Sequence, residues 1–338
     1  MGRFVQLSIF GRCGSLFFHS LYDRNPNVSI IPGVAITRVM QLFYLGPDFV
    51  SSDKVIHTFS AALSNPALNH DSGLDSLGDC RDTSVLSKIS LPKIEQVLKS
   101  RLPSIVGLLE SLIEIHRAVR GPEKNIFFYQ VHNFDPHLAR WANDTLTPDP
   151  CLLLIRNPVH NFESVVSFAL SRPSPINGLI KLYKTLSEMA VMARLPGSLR
   201  RAKLVELERV KSEPAYRREL DASLGFQCSI SPSYFGLDYV GPPSYNSILS
   251  AGFSEQLKRH GSYVATADDL RLIRLLFNPI YDYSTYEPPS VVALENLTTR
   301  LPFESFFRRH FSSNEEFRLA EKAGMKFRAF CAELSESS

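Results

Sequence analysis

The chain has 338 residues, 44% hydrophobic and 21% charged, the proportions of an ordinary globular protein. With 37 Lys and Arg against 34 Asp and Glu, the formal net charge of +3 argues against a general nucleic-acid partner and against an acidic disordered chain. The length suffices for a sizeable core in one large domain or two modest ones, and 23 Phe supply bulk for it. Five cysteines (Cys13, Cys80, Cys151, Cys228 and Cys331) form no C-x-x-C pair, so neither a zinc ribbon nor a redox dithiol is expected. The apolar stretch after Met1 is too short for a signal-peptide core or a membrane span, and Gln6 stands where a myristoylation signal wants Ser or Thr. Without a secretion signal, the sequons at Asn27, Asn143 and Asn296 read as chance. The expectation is a reduced, soluble, cytoplasmic protein with no transmembrane segment.

In chain order, the β-prone run Phe4 to Phe10 is broken by Gly11-Arg12-Cys13-Gly14-Ser15, after which Leu16 to Tyr22 reads as a helix. Asn25-Pro26-Asn27 is a turn, Val28 to Ile31 a short strand and Thr37 to Leu45 a helix. Residues 64–87 are polar, rich in Asp, Gly and Ser and without a period, as expected of a long lid or substrate loop. Pro103 opens a helix in which Ile105, Leu108, Leu109, Leu112, Ile115 and Val119 recur at helical spacing until Gly121. Asn125 to His132 reads as a strand and Leu138 to Leu146 as a short helix. The unbroken apolar run Cys151 to Ile155 reads as a strand buried on both faces of a parallel sheet. Helices follow at Asn161 to Leu170 and Leu179 to Leu195, then a strand at Lys203 to Leu207 and a helix from Glu213 to Leu224 that stops near Gly225. Thr266 and Asp269 make a capping box for a helix through Phe277, and 303–335 reads as a helical C-terminal extension. Strands alternating with helices predict an α/β fold, a three-layer parallel sheet flanked by helices, as a single domain over 1–338 with helical additions in its second half.

Two segments carry the chemistry. In the first, a short loop with Gly11 and Gly14 leads from a strand into a helix, so backbone amides and the helix dipole favour an anion, with a full charge on Arg12 and a hydroxyl on Ser15. The loop is neither G-x-x-x-x-G-K-[ST] nor G-x-G-x-x-G, and a plain strand-to-helix turn using Gly for its positive φ remains the alternative. In the second, Arg156-Asn157-Pro158 follows the buried strand, at the strand end where ligands bind in open α/β sheets, and Ser164 lies eight residues further on the following helix. Arg156 and Ser164 can hold one more anion; a surface ion pair for Arg156 and a small packing residue for Ser164 are the alternatives.

These blocks resemble the sulfotransferase family, which uses 3′-phosphoadenosine 5′-phosphosulfate as sulfuryl donor. Gly11 to Phe17 resembles the family's 5′-phosphosulfate loop, and Leu154-Ile155-Arg156-Asn157-Pro158 with Ser164 its 3′-phosphate motif. Leu21 to Val28, Lys203 to Glu208 and Leu270 to Tyr283 are looser likenesses. The resemblance implies a P-loop NTPase-like sulfotransferase fold of the type found in bacterial and carbohydrate-directed members. Arg12 would then neutralise the leaving phosphate, and the amides from Cys13, Gly14, Ser15 and Leu16 with the Ser15 hydroxyl would cradle it. Phe17 would stand where some members set an aromatic ring against adenine, or else in the core. Arg156 and Ser164 would hold the 3′-phosphate. Leu16 replaces the usual second hydroxyl, and Pro32-Gly33 stands where some members carry a catalytic Glu.

Sulfuryl transfer needs alignment, charge stabilisation and a base, and the family works without a metal. His132, closing its strand as a His does in many cytosolic members, is the first choice of base, since neutral imidazole with a pKa near ~6.5 suits that task; a His that only hydrogen-bonds at a strand end is the alternative. His19 could face the site but is expected to face neighbouring helices. His116 falls on an apolar helix stripe, Glu163 should point away from Ser164, and Arg308-Arg309 is a solvated pair or an aid to anion binding. The implied partner is a carbohydrate, glycolipid or small-metabolite acceptor with no nucleic acid, and a homodimer is left open. An atypical P-loop nucleotide or sugar kinase and a non-catalytic donor-binding protein are the competing functions.

Overall fold

The computed structural model of the chain describes residues 2–11, 13–23, 25–31, 35–46, 50–51, 53–55, 57, 96, 99–100, 104–120, 123, 125–132, 136–170, 175–229, 233–234, 237–238 and 314–336. The expected lid at 64–87, the capping box at Thr266, Arg308-Arg309 and the first part of the C-terminal extension lie outside them. The chain divides into two compact units: Met1–Ile9, Gly14–Leu154 and Leu195–Leu257 form one, and Phe10–Cys13, Ile155–Arg194 and Lys258–Ser338 the other.

The first unit is built on a five-stranded parallel sheet of β1 (Arg3–Ile9), β2 (Val28–Ile31), β3 (Ile126–His132), β4 (Cys151–Ile155) and β5 (Ala202–Glu206), in the order β2-β3-β1-β4-β5. Its helices are α1 (Ser15–Ser20), α2 (Ala35–Leu45), α3 (Ile105–Arg120) and α4 (Pro136–Leu146). With them are α7 (Leu207–Ser212), α8 (Pro214–Leu224) and a small antiparallel pair, β6 (Ser233–Tyr234) with β7 (Leu237–Asp238). The central strand β1 pairs with β3 from Arg3↔Ile126 to Ile9↔His132, and with β4 from Gln6↔Cys151 to Ser8↔Leu153. From β1 the chain builds β2 and β3 on one side and β4 and β5 on the other, which makes the carboxyl end of β1 a topological switch point.

The pleat explains the core. Phe4, Phe127, Tyr129 and Val131 share one face and are covered by Ile36, Val39 and Met40 of α2, by Ile105, Leu108, Leu109 and Ile113 of α3, and by Leu138, Ala142 and Leu146 of α4. On the other face, Phe128 meets Phe18 at 6.1 Å and Tyr22 at 5.9 Å between ring centroids. β4 is buried at all five positions, as its continuous apolar sequence requires. A polar seam runs through this core because β1 carries Gln6 and Ser8 at buried positions: Tyr129 Oη donates to Gln6 Oε1 at 3.1 Å, and Gln6 Nε2 donates to Ser8 Oγ at 3.0 Å. Buried Asn143 of α4 donates to the Arg200 carbonyl and accepts from the Arg200 N–H at 2.8 Å, tying that helix to the turn before β5. Helix α8 starts with Pro214 and stops at Gly225 in the left-handed conformation, φ 73°.

The second unit contains α5 (Pro158–Leu170), α6 (Pro175–Arg194) and α9 (Asn314–Glu336), with α6 packed against both others. Tyr183 of α6 meets Phe327 of α9 at 5.3 Å between centroids. No described helix is long and apolar enough to cross a membrane.

Candidate functional site

In the first unit, the glycine loop delivers the chain into α1 through Gly14, at φ 85° and ψ 24°. Only glycine enters that left-handed conformation freely, and space forbids any other residue: a Cβ on Gly14 would lie 2.5 Å from Leu207 Cδ2, at the start of α7. Gly14 caps α1 with no side chain, the first turn carries no acidic residue, and Ser15 is half-buried there. Phe17 is buried, with the Lys211 ammonium of α7 at 4.9 Å from its ring centroid. That cation–π pairing sets a positive charge beside α1 and was not legible in the sequence, because Lys211 comes from a helix nearly two hundred residues away.

His132 ends β3, paired with Ile9 at the end of β1. His19 is fully buried. Its Nδ1 sits 2.9 Å from Gln130 Nε2, its ring meets Phe128 edge-on at 4.7 Å, and its Nε2 has no hydrogen-bond partner among the described residues. Both of these contacts are with β3, in addition to any with the helices expected around it. Burial lowers its pKa to about 3, so its imidazole is neutral at cellular pH.

In the second unit, Phe10 to Cys13 begins the loop, with Cys13 N–H donating to the Phe10 carbonyl at 3.4 Å and the Cys13 thiol buried. Arg12 lies outside the described residues. Arg156 follows β4 half-buried, and Asn157 then caps α5: its Oδ1 accepts from the Val159 N–H at 2.9 Å, with Pro158 at the first helical position. Ser164 lies two turns into α5, half-buried.

Two residues that the sequence reading did not single out hold this loop. Asn161 Nδ2 of α5 donates to the Gly11 carbonyl at 3.0 Å, and the Gly11 N–H donates to the carboxylate of Glu188 on α6. Glu188 is only 7% exposed, and burial pushes its carboxyl up to about 7, against the pull of Lys184 and of the Gly11 N–H. Among the described residues no cluster of His, Cys, Asp and Glu has the makings of a metal site.

Among solved structures, the chain is similar to the sulfotransferase domain from the Synechococcus PCC 7002 olefin synthase, with a TM-score of 0.50 over 85% of this chain and 96% of that one. The chain has a sulfotransferase fold. Sequence identity in that likeness is 14%, so the likeness is one of fold alone. No protein-family profile and no curated protein sequence matches the chain.

Proposed function

We propose that this protein is a sulfotransferase that moves the sulfuryl group of 3′-phosphoadenosine 5′-phosphosulfate to an acceptor hydroxyl of a carbohydrate, a glycolipid or a small metabolite. The observation that carries this reading is that the two candidate anion-binding segments follow the carboxyl ends of adjacent strands, β1 and β4, in a chain with the sulfotransferase fold. In this reading the amides from Cys13 to Leu16 and the Ser15 hydroxyl cradle the 5′-phosphosulfate, and Arg12 neutralises the leaving phosphate. Arg156 and Ser164 take the 3′-phosphate. The acceptor oxygen attacks sulfur in line with the bond to the 5′-phosphate, the new S–O bond forms as that bond breaks, and His132 takes the acceptor's proton. The products are a sulfate ester and adenosine 3′,5′-bisphosphate. Preorganised donors around the leaving phosphate supply most of the stabilisation.

A transfer assay with labelled donor and a panel of hydroxylated acceptors tests this. Arg12→Ala should lower transfer by at least about 100-fold, and His132→Ala should lower kcat by about 10²–10⁴-fold with affinity for adenosine 3′,5′-bisphosphate kept. Transfer from ATP with Mg²⁺ instead would make the protein a kinase. Binding of the bisphosphate without transfer to any acceptor would make it a donor-binding protein that lacks the chemistry.

A further inference from the structure

Gly11 is the first residue of the candidate donor loop, and both of its main-chain polar groups are taken by side chains of one helix pair. Asn161 of α5 donates to its carbonyl at 3.0 Å, and Glu188 of α6 accepts from its N–H. Thr185, one turn before Glu188 on α6, closes the remaining side: a Cβ on Gly11 would lie 3.1 Å from Thr185 Oγ1. Glu188 Oε1 and Asn161 Oδ1 are buried and make no hydrogen bond among the described residues. The Lys184 ammonium stands 3.8 Å from Glu188 Oε1 but belongs to a side chain 59% exposed, so solvent weakens that pairing. A buried carboxylate is costly, and one beside an anion-binding loop also repels the anion. Its contact with Gly11 offers a role for it there.

We propose that Asn161 and Glu188 are positioning residues for sulfuryl transfer, fixing the start of the donor loop through the two main-chain groups of Gly11, with Glu188 in its neutral form when the anionic donor is bound. The inference rests on the donor-loop reading above. A neutral carboxyl still accepts the Gly11 N–H through its carbonyl oxygen and no longer repels the donor's phosphates. Because burial already pushes Glu188 up to about 7, a modest push from the donor converts binding at neutral pH into proton uptake. Among the described residues, Lys184 on its own helix and the Gly11 N–H act on Glu188, and α5, packed on α6, carries Asn161 and His160. Helix α9, packed on α6, brings exposed Glu315, Arg318, Glu321, Lys322 and Lys326 and half-buried Arg328.

Calorimetry on the full chain, with adenosine 3′,5′-bisphosphate as ligand in two buffers of different ionisation enthalpy, counts the protons taken up. The phosphates' own titration is common to wild type and Glu188→Gln and cancels in the difference. Wild type should take up more protons at pH 7 than Glu188→Gln, and its affinity should fall about tenfold more between pH 6 and pH 8. Asn161→Ala and Glu188→Ala should raise the donor KM about tenfold and leave the acceptor KM unchanged, with Glu188→Gln restoring the donor KM at pH 7. Equal proton counts and parallel pH profiles for wild type and Glu188→Gln would overturn the inference, as would wild-type donor KM in Asn161→Ala, while leaving the donor reading intact. A wild-type chain that does not bind the bisphosphate at all would overturn both.

Discussion

Glu188 and His19 are both buried and ionisable, and burial acts on their charges in opposite directions. His19 holds its proton less well folded than unfolded, about 3 against 6.5, so the unfolded chain binds more protons below 6.5 and stability is lost as pH falls through that range. Glu188 holds its proton more tightly folded, about 7 against 4.5, so stability is lost as pH rises from 4.5 toward 7. Between pH 5 and pH 7 each contributes about 2 kcal/mol, and the two nearly cancel. Relative to wild type, His19→Gln should lose about 2 kcal/mol on going from pH 5 to pH 7, and Glu188→Gln should gain about as much. Urea denaturation at the two pH values measures both, and parallel curves for the three proteins would show that neither side chain is desolvated as described. The sequence reading could not find Glu188, because Lys184 and Glu188 stand four apart on a helix, the spacing of a solvent-facing ion pair. The Gly11 N–H reaches the carboxylate from far away in the chain, and that approach is a tertiary event. His19 was noticed as a residue, but its contact with Gln130 and Phe128 spans more than a hundred positions and leaves no local trace.

At the scale of elements, β3 joins the two faces of the sheet, with Phe127 and Tyr129 turned to α2, α3 and α4 and Phe128 to α1. The Phe128 ring meets Phe18, His19, Tyr22 and Phe226, so few neighbours can close over the space it would leave. Phe128→Ala should therefore cost about 3–5 kcal/mol in urea denaturation. A loss under about 1 kcal/mol would mean that α1 is not seated on β3. The strands were legible because their signals are local: β4 is a continuous apolar run, and β1 and β3 are rich in β-branched and aromatic residues. Helix starts were not. α4, α5 and α6 begin at Pro136, Pro158 and Pro175, two to four residues before the expected Leu138, Asn161 and Leu179. The apolar period emerges only after the first turn, whereas proline at the first helical position already marks the start. α7 went unread for a related reason: Leu207–Ser212 is too short to show a period and follows β5 without a break.

At the scale of the molecule, alternation of strands and helices reads as an α/β fold, but the order β2-β3-β1-β4-β5 is set by pairings such as Phe4↔Phe127 and Leu7↔Leu152, between residues over a hundred positions apart. No local pattern encodes them. The loop after β1 and the Arg156 segment after β4 were legible as a strand-to-helix turn and a strand end, and their reading as anion-binding chemistry rests on Gly, Arg and Ser at those places. Their assignment to one donor depends on β1 and β4 being neighbours. The most direct test of that assignment is a thermal melt with adenosine 3′,5′-bisphosphate, compared with ATP and Mg²⁺. A ligand that binds only the folded chain adds about 2.7 kcal/mol at a hundredfold excess over Kd. The bisphosphate should therefore raise Tm by several degrees, with Arg156→Ala reducing the shift. No shift with the bisphosphate, or a larger one with ATP and Mg²⁺, would contradict the account.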